Sequence, residues 1–221
     1  GETPLEAIET WREKNPRFAT TPLSYAGRLD PMASGKLLVL IGEECKKQTA
    51  YTTLDKEYEI EVLLDVASDT GDVLGRATYT STETVPKDSE VVQALMKEQG
   101  THERAYPVFS SKTVEGKPLF LYALSGTLDS ITIPTHTEHI YRIALKDCYS
   151  ISHRELQTRV QSHLAKTPLS DEPSKVLGAD FRIKEVQKQW SEVFAGAGER
   201  SFCILKLRVT CGSGTYMRTL A

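Results

Sequence analysis

Alternating apolar and polar positions predict several strands in this chain. Between residues 56 and 66, charged side chains alternate with the apolar positions Tyr58, Ile60, Val62 and Leu64. A period of two residues is typical of a strand with one buried face. The same pattern recurs at residues 139–150 and 202–209, and the apolar run at residues 37–41 has the length of a buried strand. After a turn at residues 69–72, residues 76–81 are predicted to return as another strand.

Helical spacing and capping signals predict the helices. Residues 3–6 form a capping box with Pro4 at the first helical position, and this helix is expected to stop at Asn15 and Pro16. Further helices are predicted at residues 42–54, 88–99 and 118–124, the last closed by Gly126. Between the helices at residues 88–99 and 118–124, residues 106–113 are predicted to be extended, followed by a turn at Glu115 and Gly116.

The segment at residues 151–200 is predicted to insert two helices between two strands. A second capping box, at residues 152–155, starts the first of them. The other carries one apolar stripe, which consists of Val186, Trp190, Val193 and Phe194. An exposed connector is expected at residues 168–173. Because apolar stripes usually mean burial, packing against the rest of the protein is the favoured role of this segment.

Strands interspersed with helices and joined by short turns predict an α+β fold, with a mainly antiparallel mixed sheet and flanking helices. We expect one domain over residues 1–221. Both ends of the chain fall within motifs, so it is expected to be a core truncated at both ends.

Composition narrows the class of protein. With 221 residues, 39% of them hydrophobic and 26% charged, the chain is typical of a globular protein. No apolar run approaches the roughly 20 residues of a membrane span, and no secretory signal is recognisable, so a cytoplasmic location is expected. The spacing of the four cysteines favours reduced thiols. A net charge of −3 argues mildly against nucleic-acid binding, but a local basic groove remains compatible with it.

Asp30 is the strongest candidate for a catalytic side chain. An Asp-Pro pair alone is typical of a turn. Here, however, Gly27 and Gly35 flank the pair, Arg28 supplies a nearby positive charge, and a buried strand follows directly. Such a loop can hold a single carboxylate at a cleft, where it can serve as a nucleophile or a base.

Residues 25–46, which read YAGRLDPMASGKLLVLIGEECK, resemble the catalytic segment of TruB-type tRNA pseudouridine synthases. Four further blocks resemble that family in the same order: residues 1–4, residues 55–58 with 68–72, residues 106–122, and the sequence GTYMR at residues 214–218. Any one block would be weak evidence, whereas five in register are specific. The resemblance implies the pseudouridine synthase catalytic fold.

The resemblance also implies residue roles. Asp30 would be the essential carboxylate that attacks a flipped uridine or its ribose. Tyr58 would stack on the target base, Tyr216 would line the pocket, and Lys46 would contact the RNA backbone. Arg218 would pair with Asp30 and reach toward phosphate. Without the resemblance, Tyr58 would be interpreted as a core aromatic, Lys46 as a solvated helix end and Arg218 as a surface residue.

The residues around the motif, Tyr25, Gly27, Arg28 and Leu29, are expected at the substrate as well. The chain departs from the family here, because Tyr25 stands where the family has a histidine and Ala26 where it has Thr or Ser. Tyrosine does not titrate near neutral pH, which puts the contribution of that histidine to RNA contact in doubt. The helical insertion at residues 151–200 is a second departure, since typical members join these strands by a tight turn. A packing role is favoured for it, and a new RNA contact is the alternative.

The resemblance implies an enzyme that converts uridine to pseudouridine, at uridine 55 in the T arm of tRNA, as a monomer without cofactor or metal. Three alternatives stay open. The chain could be an RNA-binding or tRNA-folding module with little isomerase activity. It could also resemble the RsuA and RluA synthases, which share Gly-Arg-Leu-Asp, or a guide-dependent synthase.

Overall fold

The computed structural model describes residues 2–80, 85–167 and 182–220. They form two compact units. The first contains the described residues up to Asp55, together with Lys166 and Thr167, and the second contains the remainder. In the described parts of the chain, no helix is long and apolar enough to cross a membrane.

The first unit combines one long helix with a β-hairpin. Helix α1 (Pro4–Lys14) is followed by a 3-10 turn, and strands β1 (Leu23–Ala26) and β2 (Leu38–Ile41) pair antiparallel. A 3-10 helix (Gly42–Lys47) leads into α2 (Gln48–Thr52). The predicted capping box of α1 is confirmed, because Thr3 and Glu6 exchange backbone-to-side-chain hydrogen bonds of 2.6 and 3.2 Å. Ile8 and Leu40 are the buried apolar side chains of this unit among its described residues.

A four-stranded antiparallel sheet forms the centre of the second unit. Its spatial order is β3 (Lys56–Leu63), β10 (Ser201–Cys211), β9 (Thr135–Ser152) and β6 (Gly100–Ala105). The inner strand β10 pairs with both long neighbours, so that Val209 lies opposite Tyr58 on one side and Ile143 on the other. The predicted alternation of β3 is confirmed, since Lys56, Tyr58, Ile60 and Val62 are half-buried and the intervening glutamates are exposed.

Two small hairpins extend the second unit. Strands β4 (Val66–Ser68) and β5 (Ala77–Tyr79) enclose the predicted turn, and β7 (Thr113–Val114) and β8 (Lys117–Pro118) enclose the turn at Glu115 and Gly116. Helix α3 (Asp88–Glu98) packs on the sheet. Helix α4 (Leu119–Ser125) ends at Gly126 in the left-handed conformation, as predicted.

Helices α5 (His153–Ala165) and α6 (Ile183–Ala197) lie in the segment between β9 and β10. The capping box at Ser152 and Glu155 is present. The predicted stripe of α6 is confirmed, because Val186, Trp190, Val193 and Phe194 are all buried. These helices therefore pack their apolar faces against the protein. The predicted connector at residues 168–173 lies outside the described residues.

The predicted extended piece at residues 106–113 is wrong over most of its length. Residues 106–112 form loops and a turn, and the strand of this region is β6, at residues 100–105. The sequence of β6, Gly-Thr-His-Glu-Arg-Ala, contains one β-branched residue and no residue of strong apolar character. As the last strand of the sheet, it is stabilised by pairing with β9 rather than by strand propensity.

All four cysteines are free thiols. Cys148 and Cys203 lie on adjacent strands with their Sγ atoms 3.3 Å apart. Burial, followed by the neighbouring Cys148, raises the pKa of the Cys203 thiol to about 12. A thiol with so high a pKa stays protonated at neutral pH and is a poor nucleophile.

Candidate active site

The predicted catalytic loop lies in the first unit, directly after β1. Gly27 has a φ of 83°, a left-handed conformation that favours glycine and turns the chain away from the hairpin. The Ala33 amide donates a 2.8 Å hydrogen bond to the Asp30 carbonyl, which closes a tight turn around Pro31. Arg28, Leu29 and Asp30 are exposed. The loop thus presents the Asp30 side chain at the surface of this unit.

Tyr25 and Lys46 are predicted site residues of the first unit that lie on either side of this loop in the sequence. Different contacts hold them in place. Tyr25 pairs with Val39 across the hairpin, and its carbonyl accepts a 2.6 Å hydrogen bond from Gln48 Nε2. Lys46 lies in the 3-10 helix, with Nζ 2.6 Å from Glu43 Oε2. Both side chains of that ion pair are more than three quarters exposed, so the pair contributes little stability and Lys46 is accessible to an anion.

Tyr58, Tyr216 and Arg218 belong to the second unit. Tyr58 is half-buried on β3 and packs against the hydrophobic core. Its position fits the interpretation as a strand aromatic, and its predicted stacking on a base stays a prediction. The predicted pairing of Arg218 with Asp30 likewise stays a prediction.

The Arg218 guanidinium is held by the turn after β4. Its Nη1 donates to the carbonyl oxygens of Thr70 and Phe109, each at 3.3 Å, and its Nε lies 3.7 Å from Asp72 Oδ2. The side chain is only 13% exposed. Gly71, which has a left-handed φ of 71°, allows the turn to approach the backbone of Arg218 closely. A Cβ at position 71 would lie 2.4 Å from the Arg218 carbonyl oxygen, so glycine is required there.

The turn itself is organised by two aspartates. Asp72 Oδ1 accepts from Thr70 Oγ1 at 2.7 Å and from the Leu74 amide at 2.9 Å. The Asp69 carboxylate accepts from the Arg76 amide and from Arg76 Nε, at 2.8 and 2.9 Å. It also accepts two hydrogen bonds from the Arg182 guanidinium in a bidentate arrangement, at 2.8 and 3.2 Å.

Burial alone would raise the pKa of Asp69. The hydrogen bonds from Arg182 and then from Arg76 outweigh this effect, and the pKa of Asp69 is lowered. The carboxylate is therefore ionised at neutral pH and binds both arginines as a charged partner.

Tyr216 belongs to a cluster of three aromatic rings. The rings of Tyr106 and His136 stack with centroids 4.2 Å apart, and Tyr216 packs edge-on against both, at 6.0 and 5.6 Å. Beneath His136 lies Glu138, which is 1% exposed and forms an ion pair with Arg104. Arg104 Nη1 also lies 3.4 Å from the Thr219 carbonyl oxygen. The segment that carries Tyr216 and Arg218 is thus held from two sides.

The residues that hold Arg218 were only partly foreseeable. The motif at residues 68–72 marked the turn, but nothing in the local sequence indicated that Asp72, Thr70 and Phe109 bind Arg218. In the sequence, Arg182 is one of several charged residues of the segment between β9 and β10. Its contact with Asp69 joins residues 113 positions apart, and no local pattern reports such a contact. Across the described ranges, no group of three or more His, Cys, Asp or Glu side chains is placed to hold a metal ion.

Comparison with known proteins identifies the family. Residues 17–164 match the family model described as "TruB family pseudouridylate synthase (N terminal domain)", which is more than half of the chain. The chain therefore belongs to the TruB family of pseudouridylate synthases. The matched segment contains the Asp30 loop, Tyr58 and the turn at residues 69–72, whereas Arg182, Tyr216 and Arg218 follow it.

Individual relatives agree with the family match. A tRNA pseudouridine synthase B from Aromatoleum aromaticum is 29% identical over 197 residues, which are 89% of this chain and 46% of that protein. A protein of the same name from Caldicellulosiruptor saccharolyticus is 27% identical over 175 residues, 79% of this chain and 59% of that protein. One from Bacillus cereus is 28% identical over 200 residues, 90% and 50% respectively. The chain spans about half the length of the curated relatives it matches.

Proposed function

We propose that the protein isomerises a uridine of RNA to pseudouridine, and that its substrate is uridine 55 in the T arm of tRNA. Two facts support the proposal: the family is one of pseudouridylate synthases, and the similar proteins are named tRNA pseudouridine synthase B. The observation that carries it is the exposed Asp30 carboxylate on a tight turn inside the matched segment.

The reaction is an isomerisation that needs no second substrate. The bond from ribose C1′ to N1 of uracil breaks, the base turns, and C1′ bonds to C5. The hydrogen on C5 leaves as a proton, and N1 gains one, so that no electrons are exchanged with another molecule. Asp30 supplies the carboxylate that attacks the uridine or its ribose, as nucleophilic catalysis requires.

The substrate base must leave its stack before Asp30 can reach it. Extrusion costs a few kcal/mol, and stacking on an aromatic side chain offsets about 1–3 kcal/mol of that cost. We assign this stacking to Tyr58, and the lining of the pocket to Tyr216. Arg218 supplies a guanidinium that pairs with the Asp30 carboxylate and reaches toward phosphate, and Lys46 binds the RNA backbone. Tyr25, Gly27, Arg28 and Leu29 shape the loop beside the substrate.

Replacement of Asp30 tests the proposal. With tRNA that carries tritium on C5 of uridine, isomerisation releases the label into water. We expect Asp30→Asn to abolish tritium release, a loss of at least about 10⁴-fold, because the amide cannot act as a nucleophile. Affinity for tRNA should be retained, since the substitution leaves the size of the side chain unchanged.

Asp129→Asn is the matched control, because Asp129 is an exposed aspartate of the second unit outside the proposed site. It should release tritium at the wild-type rate. Full activity of Asp30→Asn would contradict the proposal. A wild-type protein that binds or refolds tRNA without releasing tritium would instead support an RNA-binding or tRNA-folding module.

Several narrower expectations accompany the proposal. We propose that residues 1–221 act as one catalytic domain in which residues 151–200 are an insertion. We also expect a monomer that needs no cofactor or metal and works in the cytoplasm. Activity on unmodified tRNA, without a guide RNA or protein partner, would separate this protein from a guide-dependent synthase.

A further inference from the structure

We propose that Arg182, on the segment between β9 and β10, is a positioning residue for Arg218. This inference rests on the proposed function, because Arg218 matters only if the proposed site carries out the isomerisation. Arg182 acts on the two pieces of chain that hold the Arg218 guanidinium.

The first route passes through the turn at residues 69–72. Both ends of the Arg182 guanidinium bind Asp69, with Nη1 2.8 Å from Oδ2 and Nη2 3.2 Å from Oδ1. A paired contact of this kind fixes direction as well as distance. Asp69 begins the turn, and the next three residues each contact Arg218, through the Thr70 carbonyl, the Gly71 backbone and the Asp72 carboxylate.

The second route passes through Phe109. The Arg182 guanidinium carbon lies 4.3 Å from the centroid of the Phe109 ring, a cation–π contact. The carbonyl oxygen of the same residue accepts from Arg218 Nη1 at 3.3 Å. Arg182 therefore contacts the side chain, and Arg218 the backbone, of one residue.

The helix that follows Arg182, α6, is anchored on the same turn region. Trp190, which is buried on α6, donates from Nε1 to the Val73 carbonyl at 3.0 Å, and Arg76 Nη1 lies 3.3 Å from Glu185 Oε1. Arg182 itself precedes α6 with a φ of 52°. A left-handed conformation is costly for a residue other than glycine, and it persists where surrounding contacts require it. From this conformation the Arg182 side chain binds both Asp69 and Phe109.

Single-turnover kinetics separate positioning from stability. With enzyme in saturating excess over tritiated tRNA, the rate constant reports each folded molecule and does not depend on the folded fraction. We expect Arg182→Ala to lower this rate constant by about 10- to 100-fold, because a small displacement of a catalytic contact is costly. The dissociation constant for tRNA should stay within about twofold of the wild type. Arg182→Lys should recover only part of the rate, since a lysine cannot form the paired contact.

Two further variants sharpen the test. Lys188→Ala removes a cation from the exposed face of α6, where Lys188 lies 3.8 Å from Glu192, and it should leave the rate unchanged. The rate of the double variant Arg182→Ala/Asp69→Asn should lie within about twofold of the rate of the slower single variant. The two effects should not add, because each change disrupts the same contact between Arg182 and Asp69. A rate for Arg182→Ala within about twofold of the wild type would overturn the inference, as would a change in tRNA affinity alone.

Failure of the proposed function would be recognised separately, by the absence of tritium release from the wild type. In that case the NMR signal of the Arg218 Nε–H group, assigned by its loss in Arg218→Lys, still tests the inference. We expect Arg182→Ala to shift or broaden that signal and Lys188→Ala to leave it in place. An Arg218 signal unchanged by Arg182→Ala would refute positioning irrespective of enzymatic activity.

Discussion

Two carboxylates of the second unit, Glu138 and Asp69, bind arginines near the segment at residues 216–219, but in different environments. Glu138 is fully buried, Arg104 is its charged partner, and His136 Nε2 lies 3.5 Å from its Oε2. Within the described residues, neither of its oxygens has good hydrogen-bonding geometry to a donor, so the contact with Arg104 is an ion pair rather than a directed hydrogen bond. Asp69 is a quarter exposed and accepts four directed N–H donors.

The difference shows how each anchor depends on its partners. No water can replace a lost arginine beside a buried carboxylate. The stability that Glu138 contributes therefore depends mainly on its ion pair with Arg104. A partly exposed carboxylate with several donors, such as Asp69, can lose one of them and keep its position. The first arrangement is suited to permanent structure, and the second to fine adjustment of a neighbouring group.

The largest effect is expected from Arg104→Ala. It should lower the free energy of unfolding by about 3–5 kcal/mol, because it leaves Glu138 buried without its charged partner. Urea denaturation at neutral pH measures this change. Arg208→Ala is the matched control: Arg208 pairs with Glu59 at 2.7 Å on an exposed strand face, and its loss should lower the free energy of unfolding far less than the loss of Arg104. Equal losses of stability in both variants would mean that the burial of Glu138 does not make its ion pair more important than a surface pair.

A smaller effect is expected from Asp69→Asn, which should cost about 1–3 kcal/mol at pH 7 through weaker hydrogen bonds. The pKa of Asp69 is lowered in the folded protein. Its stabilisation is therefore fully present above the unfolded pKa of about 3.9 and is lost as the pH falls through the folded value. Urea denaturation between pH 5 and 2 should show a shallower loss for Asp69→Asn than for the wild type, and parallel curves would contradict this assignment.

The smallest effect is expected from Arg76→Ala. The Arg76 side chain is half exposed, and after its removal Asp69 keeps the paired contact with Arg182 and the backbone N–H of residue 76. Unfolding should become easier by less than about 1 kcal/mol, with the single-turnover rate close to the wild type. A loss as large as that of Asp69→Asn would mean that Arg76, rather than Arg182, fixes the turn.

What the sequence could predict depends on the range of the interactions involved. The alternation in β3, the two capping boxes and the stripe of α6 arise from neighbours within a few residues, and all are confirmed. The turn at residues 69–72 and the Asp30 loop were also foreseeable, because glycine and Asx residues mark such turns locally. Strand β6 was missed, since pairing with β9 rather than its own composition makes it extended. The partners of Arg218 were missed for the same reason: they are set by tertiary packing.

The contacts around Arg218 also have a consequence for the order of folding. Arg218 and Thr70 are separated by 148 positions, and Arg182 and Asp69 by 113. Joining such distant segments requires a large loss of chain entropy, which the earlier formation of the sheet reduces. Because β3 lies at the edge of the sheet and pairs with β10, we expect the turn at residues 69–72 to receive Arg218 only after β10 has joined the sheet. The proposed site would then be among the last parts of the protein to mature.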